Sequence, residues 1–247
     1  MKVSVILPAA GLGTRMSRAA ALAEISGTSR KQFMLLEGAP ILVHTVRKFV
    51  SSPLVTDIVV AVREEDMAWT DEMLQPEARG LPGDLTVVEG GSTRQESVEK
   101  AFASLHPDVD LVAVHDAVRP FIERETIRLV VEEAYATGAA IVGIVPVDTV
   151  KQVSGAQAGG AKVRGTISRE RLVLAQTPQV FRRDILRRAF EAARRDHFAG
   201  TDEASLVERM DEVEIGVVLG SERNIKITRP GDMDLARLFS EQEKARR

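Results

Sequence analysis

Four cations and one acid stand where anion chemistry would need them. Arg15 lies in "LPAAGLGTRM" at residues 7–16, Lys31 in "RKQF", Asp116 and Arg119 in "VHDAVRPF", and Lys226 in "NIKITRP". The first stretch looks like a glycine-rich nucleotide loop, yet neither standard template fits it. A P-loop needs four residues between its glycines and then Gly-Lys-Ser/Thr. A dinucleotide fingerprint needs a third glycine where Met16 stands. What remains is a loop of small residues. Ala9, Ala10, Gly11 and Gly13 let backbone N–H groups come close to a ligand, and Pro8 closes the strand before them. Arg15 adds a planar fork suited to phosphate. Turn chemistry alone accounts for such a loop equally well.

A second Gly-Gly turn, "EGGSTRQESV", joins a strand to a helix. Ser92 is the expected N-cap, and Ser97 on the first turns is expected to face the same cleft. Asp116 sits at the carboxyl end of a strand and suits a Mg²⁺ that accompanies a nucleoside triphosphate. A turn-capping acid with a surface arginine is the plainer alternative. His115 is expected to point away from Asp116 into the core. Lys226, flanked by Ile225 and Ile227, reads as an alternating strand end. Arg169 and Arg171 follow a hairpin pattern.

Elements must carry these residues. Short runs rich in Val and Ile recur at 3–9, 57–62, 85–91, 110–117, 138–147 and 213–220. Helical spacing fills the gaps, for example "APILVHTVRKFVSS" and "ERETIRLVVEEAYATG", the latter closing on Gly138 as a C-terminal cap. Buried strands alternating with helices predict an α/β fold, a Rossmann-like, mostly parallel sheet in three layers. Ligands then sit beyond the carboxyl ends of the strands. One region departs: 147–171 carries two alternating stretches around a small-residue turn at 154–160, the signature of a protruding β-hairpin. A lone hairpin is marginal in water, so a second copy of the chain is its expected support, with an edge hairpin on the same domain as the alternative.

Composition narrows the functions. The chain has 247 residues, 44% of them hydrophobic, enough for one sizeable core. A single domain over 1–247, including the arm at about 147–171, is expected. With 33 basic and 36 acidic residues the net charge is −3, which gives no global field for nucleic acid or an anionic membrane. Aromatics at 4% argue against a base-stacking platform. There is no cysteine, hence no disulfide, thiolate nucleophile or thiolate-bound metal. No apolar run is long enough to span a membrane, and a cytoplasmic location is expected.

The ordered set "LPAAGLGTRM", "RKQF", "GGSTRQESV", "VHDAVRPF", "TPQVF", "TDEASLVE" and "NIKITRP" resembles the 2-C-methyl-D-erythritol 4-phosphate cytidylyltransferases of the nucleotidylyltransferase superfamily. The first motif alone is shared widely; the full set, from about residue 3 to 238, is specific. The resemblance implies an enzyme of the non-mevalonate isoprenoid pathway. It would transfer CMP from CTP to 2-C-methyl-D-erythritol 4-phosphate, release pyrophosphate, need Mg²⁺ and act as a homodimer. It implies that Arg15 and Lys31 stabilise transition-state charge and that Lys226 bridges the reacting phosphates. It implies a nucleotide pocket of Pro8, Ala9, Ala10, Gly11, Gly13, Gly91, Ser97, Asp116 and Ala117, with Asp116 near ribose and metal. It further implies that Arg169 and Thr149, on an arm reaching the partner subunit, hold methylerythritol phosphate with help from Arg119. Ser92 replaces an acidic residue that sometimes occurs there, and the loop before Lys31 looks long. The nearest alternative is a D-ribitol-5-phosphate cytidylyltransferase. A non-catalytic nucleotide-binding module and a hexose-phosphate uridylyltransferase are further alternatives.

Overall fold

A computed structural model of the chain describes residues 1–11, 30–155 and 160–245. Its centre is a seven-stranded sheet. In chain order the strands are β1 (Val3–Pro8), β4 (Val55–Val62), β5 (Leu85–Glu89), β6 (Leu111–Val114), β7 (Ala139–Ile144), β10 (Leu174–Arg182) and β11 (Gly216–Leu219). In space they run β11-β7-β10-β6-β1-β4-β5. Strands β6, β1, β4 and β5 are parallel to one another, and β7 is parallel to β11. Two short pieces, β2 (Leu35–Leu36) and β3 (Ala39–Pro40), pair separately.

Alternation along β1 explains why both faces are covered. Val3, Val5 and Leu7 enter one core with Leu42, Val46 and Phe49 of α1 (Ile41–Val50) and Ile127, Val130 and Val131 of a long helix at Arg124–Thr137. Ile6 enters the opposite core with Val98 and Phe102 of the helix at Arg94–Ala103 and Leu186 and Phe190 of the helix at Arg183–Arg195. Period two on the strand thus feeds two helical layers, the expected three-layer arrangement. The helix at Arg124–Thr137 ends as predicted. Gly138 takes φ 103° and donates its N–H to Ala134 O at 2.8 Å. A Cβ there would stand 2.9 Å from Ile185 Cδ1, so glycine answers both the left-handed turn and the close packing.

Three expectations need correction. Strand β10 has no counterpart among the apolar runs of the sequence, and it runs antiparallel between β6 and β7. Its Gln176, Thr177 and Gln179 look like loop residues, yet all three are buried. Their side chains are hydrogen-bonded to flanking segments, which meets the cost of burying them. Second, residues 224–228 form no strand. They are held as an extended segment because Ile227 is fully buried with Met233, Phe121 and Val118, and its N–H donates to Val118 O at 3.0 Å. Third, the helix at Arg94–Ala103 is capped by Thr93, whose side chain accepts from Glu96 N, and not by Ser92.

The hairpin is present. Strands β8 (Val150–Ser154) and β9 (Lys162–Ile167) pair antiparallel, with Val150 opposite Ile167. Val153, Val163 and Ile167 on it are exposed.

Candidate functional site

Parallel strands β1, β5 and β6 end at the same edge of the sheet, and the segments that follow them converge there. Pro8, Ala9, Ala10 and Gly11 come at the end of β1, Gly91 follows β5, and Asp116 and Ala117 follow β6. Together with Lys31, Arg94, Ser97 and Lys226 they line one cleft of about 240 Å³. A larger hollow of about 600 Å³ lies elsewhere, between α1 and the C-terminal helix (Pro230–Ala245). Three of its cations are already matched, in the pairs Arg47–Glu77, Lys48–Glu243 and Lys244–Glu37. Size therefore does not mark the site; converging small residues and cations do.

The two Gly-rich segments fit against each other. Gly90 N donates to Val62 O at 2.6 Å, and a Cβ on Gly90 would stand 2.6 Å from Ala10 Cβ. The turn after it is locked by side chains. Gly91 N donates to Ser97 Oγ at 3.0 Å, and Ser97 Oγ donates to Thr93 O at 2.8 Å. Ser92 N and Oγ both donate to Glu96 Oε2 at 2.7 Å. Ser97 is buried and faces the cleft, as expected. Gln32 fastens the Lys31 turn to the first loop. Its Nε2 donates to Ala9 O at 2.6 Å and to Gly11 O at 3.3 Å. Phe33 meets Trp69 edge to face at 4.7 Å on the outer side.

Asp116 is the electrostatic centre. Its Oδ2 lies 2.9 Å from Lys226 Nζ and 3.3 Å from Arg119 Nε, and its Oδ1 lies 3.2 Å from Arg94 Nε. Burial alone would raise the carboxyl's pKa. Arg94, Lys226 and Arg119 outweigh it and hold the group well below the usual carboxylate range. One ionised acid therefore fixes three cations in place before any ligand arrives. Arg119 also donates to Asn224 O at 2.6 Å. Asn224 donates from Nδ2 to Gln176 Oε1 and to Thr177 O, both at 2.9 Å, which ties the Lys226 segment to β10. The backbone of Asp116 is held from behind as well, since its N–H donates to Thr177 Oγ1 at 3.0 Å.

His115 points away from the cleft and is fully buried, as expected. Its Nε2 donates to Arg119 O at 3.1 Å, because a carbonyl can only accept, and its Nδ1 accepts from Thr177 Oγ1 at 3.1 Å. Burial pushes its pKa down to about 4, so it is a neutral packing residue at neutral pH.

Asp116 as a metal ligand fits this geometry poorly. Both its oxygens already face cations, which an ion on this carboxylate would have to displace. The same carboxylate is better suited to orienting cations.

Not every expected residue is in the cleft. Arg15 and Gly13 lie outside the described residues. Arg119 stands behind the lining, against Asp116. Thr149 and Arg169 are exposed at the root of the arm, where Arg169 donates to Val147 O. Neither lines this chain's cleft. Two further residues join the cluster without a place among the expected site residues. Arg94 stands inside "GGSTRQESV", and an arginine three residues after a Gly-Gly turn and at a helix start is a signal for anion chemistry. Glu203 stands inside "TDEASLVE", directly after a helix-capping Asp, but nothing local in that motif points to the cleft.

Known proteins carry the same pattern. The family 2-C-methyl-D-erythritol 4-phosphate cytidylyltransferase matches residues 3–242. A protein of that name from Solibacter usitatus is 62% identical over 246 residues, covering 100% of this chain and 98% of the relative. Its counterpart from Acidobacterium capsulatum is 48% identical over 249 residues, with 100% of both chains covered. Among solved structures, the enzyme of that name from Thermus thermophilus superposes with a TM-score of 0.74 at 30% identity, over 98% of this chain and 100% of that one. The match thus runs through every segment that builds the cleft, and this chain belongs to the 2-C-methyl-D-erythritol 4-phosphate cytidylyltransferase family.

Proposed function

We propose that the chain transfers CMP from CTP to 2-C-methyl-D-erythritol 4-phosphate, giving 4-diphosphocytidyl-2-C-methyl-D-erythritol and pyrophosphate in the non-mevalonate isoprenoid pathway. The observation that carries this reading is the convergence of the Gly11 and Gly91 segments, Lys31, Arg94, Asp116 and Lys226 on one cleft of a chain in this family. The first-loop residues Pro8 to Gly11, with Gly91, Ser97 and Ala117, form the cytidine side. An oxygen of the acceptor's phosphate attacks the α-phosphorus, the bond to the bridging oxygen breaks, and pyrophosphate leaves. The acceptor phosphate is already ionised near neutral pH, so no general base is needed. Catalysis then rests on positioning and on cations where charge develops. Lys31, Lys226 and Arg15 are the cations we assign to that task.

The acceptor end is assigned to Arg169 and Thr149, with Arg119 behind Asp116. An exposed arm whose apolar side chains lack a core is supported by packing on a second copy, which would carry Arg169 and Thr149 into that copy's cleft. We assign the chain to a homodimer on that ground. A Mg²⁺ requirement is assigned to the triphosphate, because the described residues that line the cleft offer the ion one carboxylate, already occupied. No helix among the described residues is long and apolar enough to cross a membrane, and a cytoplasmic site of action is proposed with the pathway.

The test is pyrophosphate release across CTP, UTP, ATP and GTP, with methylerythritol phosphate or D-ribitol 5-phosphate as acceptor. Release with CTP and methylerythritol phosphate alone is expected. Preference for ribitol phosphate would overturn the acceptor assignment.

A further inference from the structure

Glu203 is the second carboxylate of the cation cluster, and it stands behind the cleft wall. It opens the short helix at Glu203–Glu208 and is 1% exposed. Its Oε1 accepts from Arg94 Nη1 at 2.8 Å. Its Oε2 is buried and has no hydrogen-bond partner among the described residues. Burial pushes the carboxyl's pKa up, and Arg94 opposes that only in part.

Stability does not explain such a group. A buried carboxylate with an unmatched oxygen is costly, and buried ion pairs add little over an apolar residue of similar size. Nor is the carboxylate needed to start its helix. Asp202 accepts from Ser205 N at 3.0 Å, Ser205 Oγ in turn accepts from Asp202 N, and Gln179 clamps the turn by donating to Asp202 Oδ2 at 2.7 Å and accepting from Ala204 N at 3.0 Å. The end of the helix would hold without Glu203.

What the carboxylate does hold is Arg94. A guanidinium is a planar fork, and an acid at each end fixes its plane. Arg94 meets Glu203 through Nη1 and Asp116 through Nε, and Asp116 holds Lys226 through its other oxygen. The order Glu203, Arg94, Asp116, Lys226 runs unbroken from the buried side to the cleft.

Building on the activity proposed above, we propose that Glu203 is a positioning residue for cytidylyl transfer, fixing Arg94 so that Asp116 presents Lys226 to the reacting phosphates. Without its charge, Arg94 has Asp116 as its remaining acid in this row. It then turns toward Asp116 and draws that carboxylate off Lys226.

The test is Glu203→Gln, which keeps the shape and removes the charge, measured with CTP and methylerythritol phosphate beside the wild-type protein. We expect kcat to fall by roughly tenfold or more, as small displacements of reacting groups do, with KM for CTP little changed and Tm equal or higher. Arg94→Lys, which keeps a charge but cannot bridge two acids, is expected to lose a similar factor, and the double variant no more than either alone. A Glu203→Gln protein with normal kcat overturns the proposal. So does one with lowered Tm and normal kcat per folded molecule, or a double variant whose losses multiply. If Glu203→Gln does not fold, Glu203→Asp replaces it. That change keeps the charge but withdraws the oxygen from Arg94, and normal kcat there overturns the proposal equally. A wild-type protein that transfers nothing would instead sink the activity itself, so the two failures are distinct.

Discussion

Single residues carry most of the chemistry, and two of them give direct tests. Lys31 and Lys226 both line the cleft, and Asp116 holds Lys226 at 2.9 Å. Replacing either by Ala removes a cation where charge develops, so turnover should fall by about 10²-fold or more with smaller effects on KM. Steady-state kinetics checks this, and near-normal turnover in either variant would remove it from the catalytic set. His115 gives a test of packing. Its pKa falls from the ordinary 6.5 to about 4 in the folded protein. Between those values the unfolded chain binds a proton that the native state refuses. The stabilisation is therefore complete above about pH 6.5 and is lost as pH falls toward 4, on the order of 3 kcal/mol in all. Denaturant unfolding from pH 7 to 4 should show that slope, and His115→Asn should flatten it. An equal slope in both proteins would mean that His115 is not the group responsible. Legibility at this scale is uneven. Asp116 can be read because its motif follows a strand, and Lys226 because its motif pairs a lysine with flanking isoleucines, although the strand expected there is absent. Glu203 stands in "TDEASLVE", but its contact with Arg94 lies across 109 positions of sequence and leaves no local mark.

Elements with period-two or helical stripes are legible, since one buried face leaves its mark on the sequence. Strand β10 is not, because Gln176, Thr177 and Gln179 mask it as a loop. Those polar side chains are the means by which the sheet grips Asp116, the Lys226 segment and the helix of Glu203. The signal that hides the strand is thus the signal of its role. The arm at 147–171 is legible as a hairpin, because alternation and a small-residue turn are local features. Its partner leaves no such local mark. If the arm serves a second chain, Lys31→Ala and Arg169→Ala proteins should each be inactive alone and should complement when refolded together. At equal input about half the dimers are mixed, and one of the two sites in each is intact, so roughly a quarter of full activity should return. Mixed dimers without recovered activity would show that Arg169 serves its own chain.

The whole molecule offers its cleft at one edge of a three-layer sheet, lined by the segments that follow β1, β5 and β6, with Arg94 and Lys226 held by Asp116. The activity proposed above is a single direct transfer, from CTP to an acceptor phosphate that attacks by itself. The most direct measurement uses methylerythritol phosphate labelled with ¹⁸O in its phosphate, incubated with CTP and Mg²⁺, with both products read by mass spectrometry. Direct transfer predicts that all of the label appears in 4-diphosphocytidyl-2-C-methyl-D-erythritol and none in pyrophosphate. Label in pyrophosphate, or a CMP group left on the protein when the acceptor is omitted, would contradict it.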